Sequence, residues 1–247
     1  LPAFVGVIGF VCLVGIWELA GAFARMGITL AVPPLYVGAI GIVTCAWWLG
    51  SEGTLFALYI TVFVCAAWRL LDHRQESRMS DVVSTTFTAV YVPFLASFVV
   101  LMLAAWQNPW VFVVFELMVI ANDTGGWAAG VLFGKHPMAP ALSPKKSWEG
   151  FVGSALTAVS VGTVGLWWLG AAWWWGIIAG VSIAFVGTMG DLTESMIKRE
   201  SGLKDMSQIL PGHGGVLDRV DALLMSAPVA YFIFAWALPG VSWESRH

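Results

Sequence analysis

Eight long apolar runs, separated by short polar clusters, make up most of the chain. They lie near Phe4–Phe23, Ala31–Leu49, Thr54–Leu71, Thr86–Ala105, Pro109–Val131, Phe151–Trp168, Trp173–Gly190 and Val216–Leu238. None alternates with the period of two that a transmembrane β-strand requires, which argues against a β-barrel. Each comes close to the roughly 20 apolar residues that a helix needs to cross a hydrocarbon core of about 30 Å. The pattern predicts an all-α polytopic membrane protein with about eight transmembrane helices. It predicts one integral membrane domain over residues 1–247, its motif-bearing part at residues 116–221, with long cytoplasmic loops.

Eight spans put successive loops on alternating sides, and the basic residues then separate. Arg25, Arg69, Arg74, Arg78, Lys135, Lys145, Lys146, Lys198, Arg199, Lys204 and Arg219 fall on one face, and Arg246 alone lies opposite. The bias of Lys and Arg toward the inner side makes the crowded face cytoplasmic. Tryptophans such as Trp47, Trp48, Trp106, Trp110, Trp167, Trp168, Trp173 and Trp236 gather at the other helix ends, as an interfacial belt does. The connections on the belt side are minimal. Those on the basic side, Asp72–Ser84, Leu132–Glu149 and Asp191–Gly215, are long and polar, where function usually resides.

Composition agrees with a membrane location: 59% of the 247 residues are hydrophobic and 11% are charged, with a mean hydropathy of +0.82. A net charge of −3 gives no reason to expect nucleic acid as a partner. Cys12, Cys45 and Cys65 sit in apolar stretches without C-x-x-C spacing and are expected to be small buried hydrophobes. The sequence shows no internal repeat, low-complexity tract or second soluble domain.

The few charges cluster. Between Ser195 and Asp221 stand Lys198, Arg199, Lys204, Asp205, the run Pro211-Gly212-His213-Gly214-Gly215, Asp218 and Arg219. Cations neutralise phosphate oxygens, carboxylates hold divalent metals, and glycines let backbone N–H groups approach an anion. On a helix leaving the membrane, Asp191, Ser195 and Lys198 share one face by their i, i+4 and i+7 spacing. The same stretch also allows a plain ion pair between Glu194 and Lys198, and the glycine run allows a plain turn with His213 a hydrogen-bonded loop residue. Asp218 and Asp221, three apart where the chain turns apolar, are costly at that depth unless cations neutralise them.

A second constellation comprises Asn122-Asp123-Thr124-Gly125-Gly126-Trp127 and Ser143-Pro144-Lys145-Lys146-Ser147-Trp148-Glu149-Gly150. Asp123 lies inside a predicted span and is a functional candidate for that reason. Lys145 and Lys146 suit a triphosphate or an anionic headgroup, and equally a generic juxtamembrane basic patch. Glu116 is read as structural, and Glu18 as a packing or helix-contact residue. His73 and His136 lack zinc-site spacing, and no P-loop or G-x-S-x-G elbow occurs.

These blocks resemble the phosphatidate cytidylyltransferases, or CDP-diacylglycerol synthases. The family's C-terminal pattern of Ser-x-apolar-Lys-Arg, Lys-Asp, and Pro-Gly-His-Gly-Gly-apolar-x-Asp-Arg-apolar-Asp is matched at every fixed position from Ser195 to Asp221. Asn122–Gly125 and Ser143–Gly150 are similar to two further family blocks. Gly126-Trp127 departs from the family's usual Ala-Tyr, which leaves the contacts of Trp127 open. The family usually carries further N-terminal membrane sequence, so more is expected upstream of Leu1.

The resemblance implies an Mg²⁺-dependent reaction of CTP with phosphatidate that gives CDP-diacylglycerol and pyrophosphate. It implies catalytic roles for Ser195, Lys198, Arg199, Asp218 and Asp191. Substrate contacts are expected from Lys145, Lys146, Lys204, His213, Gly214, Gly215 and Arg219. Metal ligation is expected at Asp191 and Asp218, with Asp221 and Asp123 assisting, for Mg²⁺ alone or with a second cation. Expected partners are CTP, phosphatidate, the lipid bilayer and a second copy in a homodimer. The expected location is the cell inner or plasma membrane, were the chain bacterial, with the active site cytoplasmic. A neighbouring reading keeps the transfer but changes the lipid, to an archaeol phosphate or polyprenyl phosphate. An ion-coupled transporter fits less well, because transporters place polar groups at the midplane between repeats.

Overall fold

The computed structural model describes residues 2–72, 78–209 and 214–238. Among these residues the chain forms eight helices: α1 Pro2–Arg25, α2 Val32–Trp48, α3 Gly50–Leu71, α4 Met79–Trp106, α5 Pro109–Phe133, α6 Trp148–Trp168, α7 Trp174–Glu200 and α8 Leu217–Ala237. Seven are long and apolar enough to cross a membrane, and α2 is a shorter apolar helix of 17 residues. The expected all-α polytopic class holds. The loop between α5 and α6 adds a hairpin, strands β1 Pro137–Ala139 and β2 Ser143–Ser147, that the apolar pattern did not predict.

Two helices extend beyond their apolar runs. α4 starts at Met79 rather than Thr86, because Asp81 in its first turn accepts the Arg78 N–H at 3.3 Å and sustains a polar start. α7 continues through the polar residues 191–200. It stops at Glu200, and Gly202 just beyond has a left-handed φ of +69°, while the Leu203 N–H returns to the Lys198 carbonyl at 2.8 Å. The two polar loops are shorter than the sequence implied for this reason. Within α4 the segment Val90–Phe94 is a π-helical turn around Pro93, which lacks the N–H a regular turn would use.

The chain divides into two compact units. The first comprises Leu1–Ala104 with Met196–Val220. Its polar anchor is a buried ion pair, Arg69 on α3 with Asp81 on α4, at 2.5 Å. The other Asp81 oxygen accepts the Thr29 N–H at 3.0 Å and so ties in the α1–α2 turn. Cys12 and Cys65 are buried as expected, while Cys45 is half-buried.

The second unit comprises Ala105–Ser195 with Asp221–His247. Its tightest packing joins α5 to α6. A Cβ on Gly125 would lie 2.8 Å from the Gly153 carbonyl, and one on Gly150 3.0 Å from the Gly126 carbonyl, so only glycine permits this approach. Ser154 Oγ donates to the Asn122 carbonyl at 2.7 Å, and Thr157 Oγ1 to the Ala121 carbonyl at 2.8 Å. Each bond satisfies a hydroxyl that the apolar surroundings would otherwise penalise.

Candidate active site

In the second unit, the Ser143–Gly150 block divides into scaffold and chemistry. Ser147 caps α6 by accepting the Gly150 N–H at 3.1 Å. Glu149 in the first turn accepts the Lys135 and His136 amides at 3.1 and 3.2 Å and pairs with His136 Nδ1 at 2.6 Å. These bonds fix the base of the hairpin to the helix start. Lys146, on β2, pairs its Nζ with Asp191 Oδ2. Lys145 beside it is exposed.

These residues border a pocket of about 320 Å³, lined by Asn122, Asp123, Trp127, Lys145, Lys146 and Asp191 among others. Asn122, 3% exposed, donates from Nδ2 to Asp123 Oδ1 at 3.0 Å and orients that carboxylate. Trp127, whose contacts the sequence left open, is an exposed wall of this pocket.

Asp191 also meets Asp221: the two carboxyl groups are in hydrogen-bonding contact, with Glu194 the next negative neighbour. Glycines make the approach possible. A Cβ on Gly190 would stand 2.8 Å from the Asp221 carbonyl, so α7 and α8 can close here only without one. Asp221 is 7% exposed and Glu194 is 3% exposed. Glu194 is thus a buried neighbour of Asp221, a place the ion-pair reading did not give it. Its three-residue spacing from Asp191 was the available signal. Ser195, also in this unit, is half-buried.

The fit of a metal follows from these donors. Among the described residues no three His, Cys, Asp or Glu side chains are set out as a site for an ion. Mg²⁺, however, is usually held by one or two carboxylates together with substrate phosphates and waters. Touching carboxylates repel unless a proton or cation stands between them. Asp191, which borders the pocket together with Asp123 and touches Asp221, fits an ion completed by a phosphate ligand.

The first unit holds the other half of the expected residues. Asp218, in the first turn of α8, uses both oxygens: Oδ1 accepts Lys198 Nζ at 2.7 Å, and Oδ2 accepts the Met206 N–H at 2.9 Å and the Gly215 N–H at 2.7 Å. The Gly215 amide, expected to face phosphate, is donated to Asp218. Gly214 has a φ of +84°, and a Cβ there would lie 2.9 Å from Asp218 Oδ2. Arg199, Lys204 and Arg219 are exposed on this unit. His213 lies outside the described residues, as do Pro211 and Gly212.

Glu18 makes the helix contact that the sequence suggested, with partners the sequence did not name. On α1 and 1% exposed, it accepts Ser207 Oγ at 2.6 Å, the Val216 N–H at 2.8 Å and the Leu217 N–H at 2.7 Å. A lone acid within a span was the only signal.

The sequence pattern of the cytidylyltransferase family matches residues 2–237. A phosphatidate cytidylyltransferase of Mycobacterium bovis is 39% identical over 243 residues, spanning 93% of this chain and 79% of that protein. One from Mycobacterium leprae is 36% identical over 230 residues, spanning 87% and 74%. A phosphatidate cytidylyltransferase of Haemophilus influenzae is 45% identical over 125 residues, 48% of this chain and 43% of its own length.

Proposed function

The chain belongs to the cytidylyltransferase family, and from that premise we propose that it transfers a cytidylyl group from CTP to phosphatidate, giving CDP-diacylglycerol and pyrophosphate. A phosphatidate phosphate oxygen attacks the α-phosphorus of CTP in line. A new P–O bond forms there as the bond to pyrophosphate breaks. The attacking phosphate monoester, with a second pKa of about 6, is already ionised near neutrality, so no general base is required. The obstacle is charge: two polyanions must meet, and positioning and neutralisation supply the catalysis.

The observation that carries this reading is the pocket of the second unit, where Lys146 is paired to Asp191 and Asp191 touches Asp221. Lys145 and Lys146 take nucleotide phosphates. Asp191 and Asp221, with Asp123 nearby, hold Mg²⁺, which when bound neutralises phosphate oxygens and polarises the phosphorus. In the first unit Lys198, Arg199, Lys204 and Arg219 neutralise phosphate, and His213 and the Gly214 backbone contribute hydrogen bonds. Ser195 donates to a phosphate oxygen. Asp218 supports the reaction by holding Lys198, since both its oxygens are engaged. The active site lies on the cytoplasmic side in this proposal, and the protein acts as a homodimer, as the resemblance implies.

The test is pyrophosphate release from CTP by purified protein upon addition of phosphatidate, with and without Mg²⁺. Release that needs both lipid and Mg²⁺ is expected. Release with a polyprenyl or archaeol phosphate but none with phosphatidate overturns the lipid assignment, and no release with any lipid phosphate overturns the reaction. Crosslinking in membranes tests the homodimer.

A further inference from the structure

We propose that Glu18 is a positioning residue of the transferase: from the first helix it fixes the start of α8, which carries Asp218, the partner of Lys198. The inference rests on the functional reading above for its kinetic part and on the geometry of the first unit for the rest.

A carboxylate buried in an apolar span is costly unless its oxygens are fully bonded. Glu18 meets that condition with donors from Ser207 and Val216, between α7 and α8, and from Leu217. Oε1 accepts Ser207 Oγ and the Val216 N–H, and Oε2 accepts the Leu217 N–H. Leu217 is the first residue of α8. A helix start leaves its first N–H groups without intrahelical partners and presents a partial positive charge. The residue before α8 is Val216, whose side chain has no oxygen to serve as a cap. The cap is supplied instead by a residue 199 positions away.

Neighbouring residues are shaped around this contact. A Cβ on Gly215 would lie 2.5 Å from Glu18 Oε1, so the glycine makes room for the carboxylate. Gly15, one turn earlier on α1, lets Leu217 and Val92 approach to 3.6 and 3.1 Å of the place where its own Cβ would stand. Asp218 then binds Lys198 and the Met206 and Gly215 amides. Glu18 and Asp218 therefore grip the same two stretches of loop, 206–207 and 215–217. Displacing Glu18 loosens the start of α8 and, through Asp218, one hold on the ammonium of Lys198. An apolar side chain would serve packing equally well, but it would accept none of these three donors.

The experiment uses the full chain in detergent or nanodiscs with Glu18→Gln, Glu18→Asp and Ser207→Ala, each made also in a Lys198→Ala background. Gln keeps the shape but turns an NH₂ toward a backbone N–H. We expect Glu18→Gln to lower kcat by about tenfold or more while the KM for each substrate moves by less than about threefold. Because Glu18 acts through Lys198, the same substitution in the Lys198→Ala background should change the rate by less than about twofold. Hydrogen exchange at the Val216 and Leu217 amides should quicken by about tenfold or more, while exchange in α5 and α6 is unchanged.

A Glu18→Gln rate within about twofold of the parent, or the same full loss repeated without Lys198, overturns the proposal. Should Glu18→Gln fail to fold, Ser207→Ala decides by the same criteria, with a loss of about threefold expected because one of three bonds is removed. If the parent chain converts no CTP, the functional reading fails by itself. Unchanged exchange at Val216 and Leu217 sinks the role of Glu18 whatever the reaction.

Discussion

Lys198 Nζ lies 2.7 Å from Asp218 Oδ1, and the two side chains are 17% and 9% exposed. A half-buried ammonium held this closely by a carboxylate has a fixed position, and a cation that must meet a phosphate benefits from that. Asp218→Asn keeps the size of the side chain but removes the charge and sets an NH₂ against the Met206 or Gly215 amide. Turnover should fall by about a hundredfold or more, as when a preorganised electrostatic contact is lost. Initial rates in detergent, with circular dichroism to show retained helicity, check it; a rate near that of the parent sinks the role.

Lys146 is the cation on the Asp191 carboxylate, and Asp191 in turn touches Asp221. On the proposed reading, Lys146→Ala removes a nucleotide contact; it also leaves the acidic pair less neutralised. The kcat/KM for CTP should fall by about ten- to a hundredfold, mostly through KM if Lys146 binds ground state and transition state alike. An unchanged CTP titration at limiting nucleotide would show that Lys146 touches no substrate phosphate.

Chelation and metal titration probe the acidic pair. Asp221→Asn should raise the Mg²⁺ concentration for half-maximal rate by about tenfold or more, since one of the carboxylates proposed to hold the ion is lost. The substitution also relieves the repulsion between Asp191 and Asp221, so thermal stability in EDTA should hold or rise. An Mg²⁺ dependence equal to that of the parent would remove Asp221 from the metal site.

The helices were legible because apolar runs of membrane length leave few alternatives, and their ends shifted only where polar residues continued a helix, as at Met79 and residues 191–200. The block around Lys146 was legible as charge, but not as a hairpin pinned by Glu149, because hairpin pairing of residues such as Pro137 and Ser147 leaves no period to detect. Glu18 was legible only as an isolated acid. Its partners are 189 to 199 residues distant, and periodicity within a helix does not say which helices meet. The contact of Asp191 with Asp221 depends on a missing Cβ at Gly190, a packing fact that residue spacing does not encode.

Gly153 tests the packing that supports the pocket. A Cβ there would meet the Ala129 Cβ at 2.3 Å and the Gly125 carbonyl at 2.7 Å, and neither neighbour is a flexible side-chain end. Gly153→Ala should cost about 1–3 kcal/mol through forced separation of α5 and α6. Gly6, with nothing within 4 Å of its Cβ position, is the matched control, and alanine there should leave thermal stability unchanged or slightly higher. Equal melting temperatures for the two variants would show that α5 and α6 do not pack this closely.

Arg69 and Asp81 are 1% and 2% exposed, and the pair joins α3 to α4 while Asp81 also receives the Thr29 amide. Taking both charges out of water is expensive, so the pair itself contributes little net stability; removing Arg69 leaves the Asp81 charge buried without its cation, whereas Arg69 without Asp81 keeps a longer contact with Asp72 at 3.4 Å. Arg69→Met should destabilise by about 3–5 kcal/mol, and Asp81→Asn by less. The double variant should lose no more than Arg69→Met alone, because the buried carboxylate is gone and the Asn oxygen can still accept the Thr29 N–H. Denaturant or thermal unfolding of the three variants in one detergent reads this directly. Additive losses would mean that each residue is held by separate partners and that the 2.5 Å contact carries no coupling.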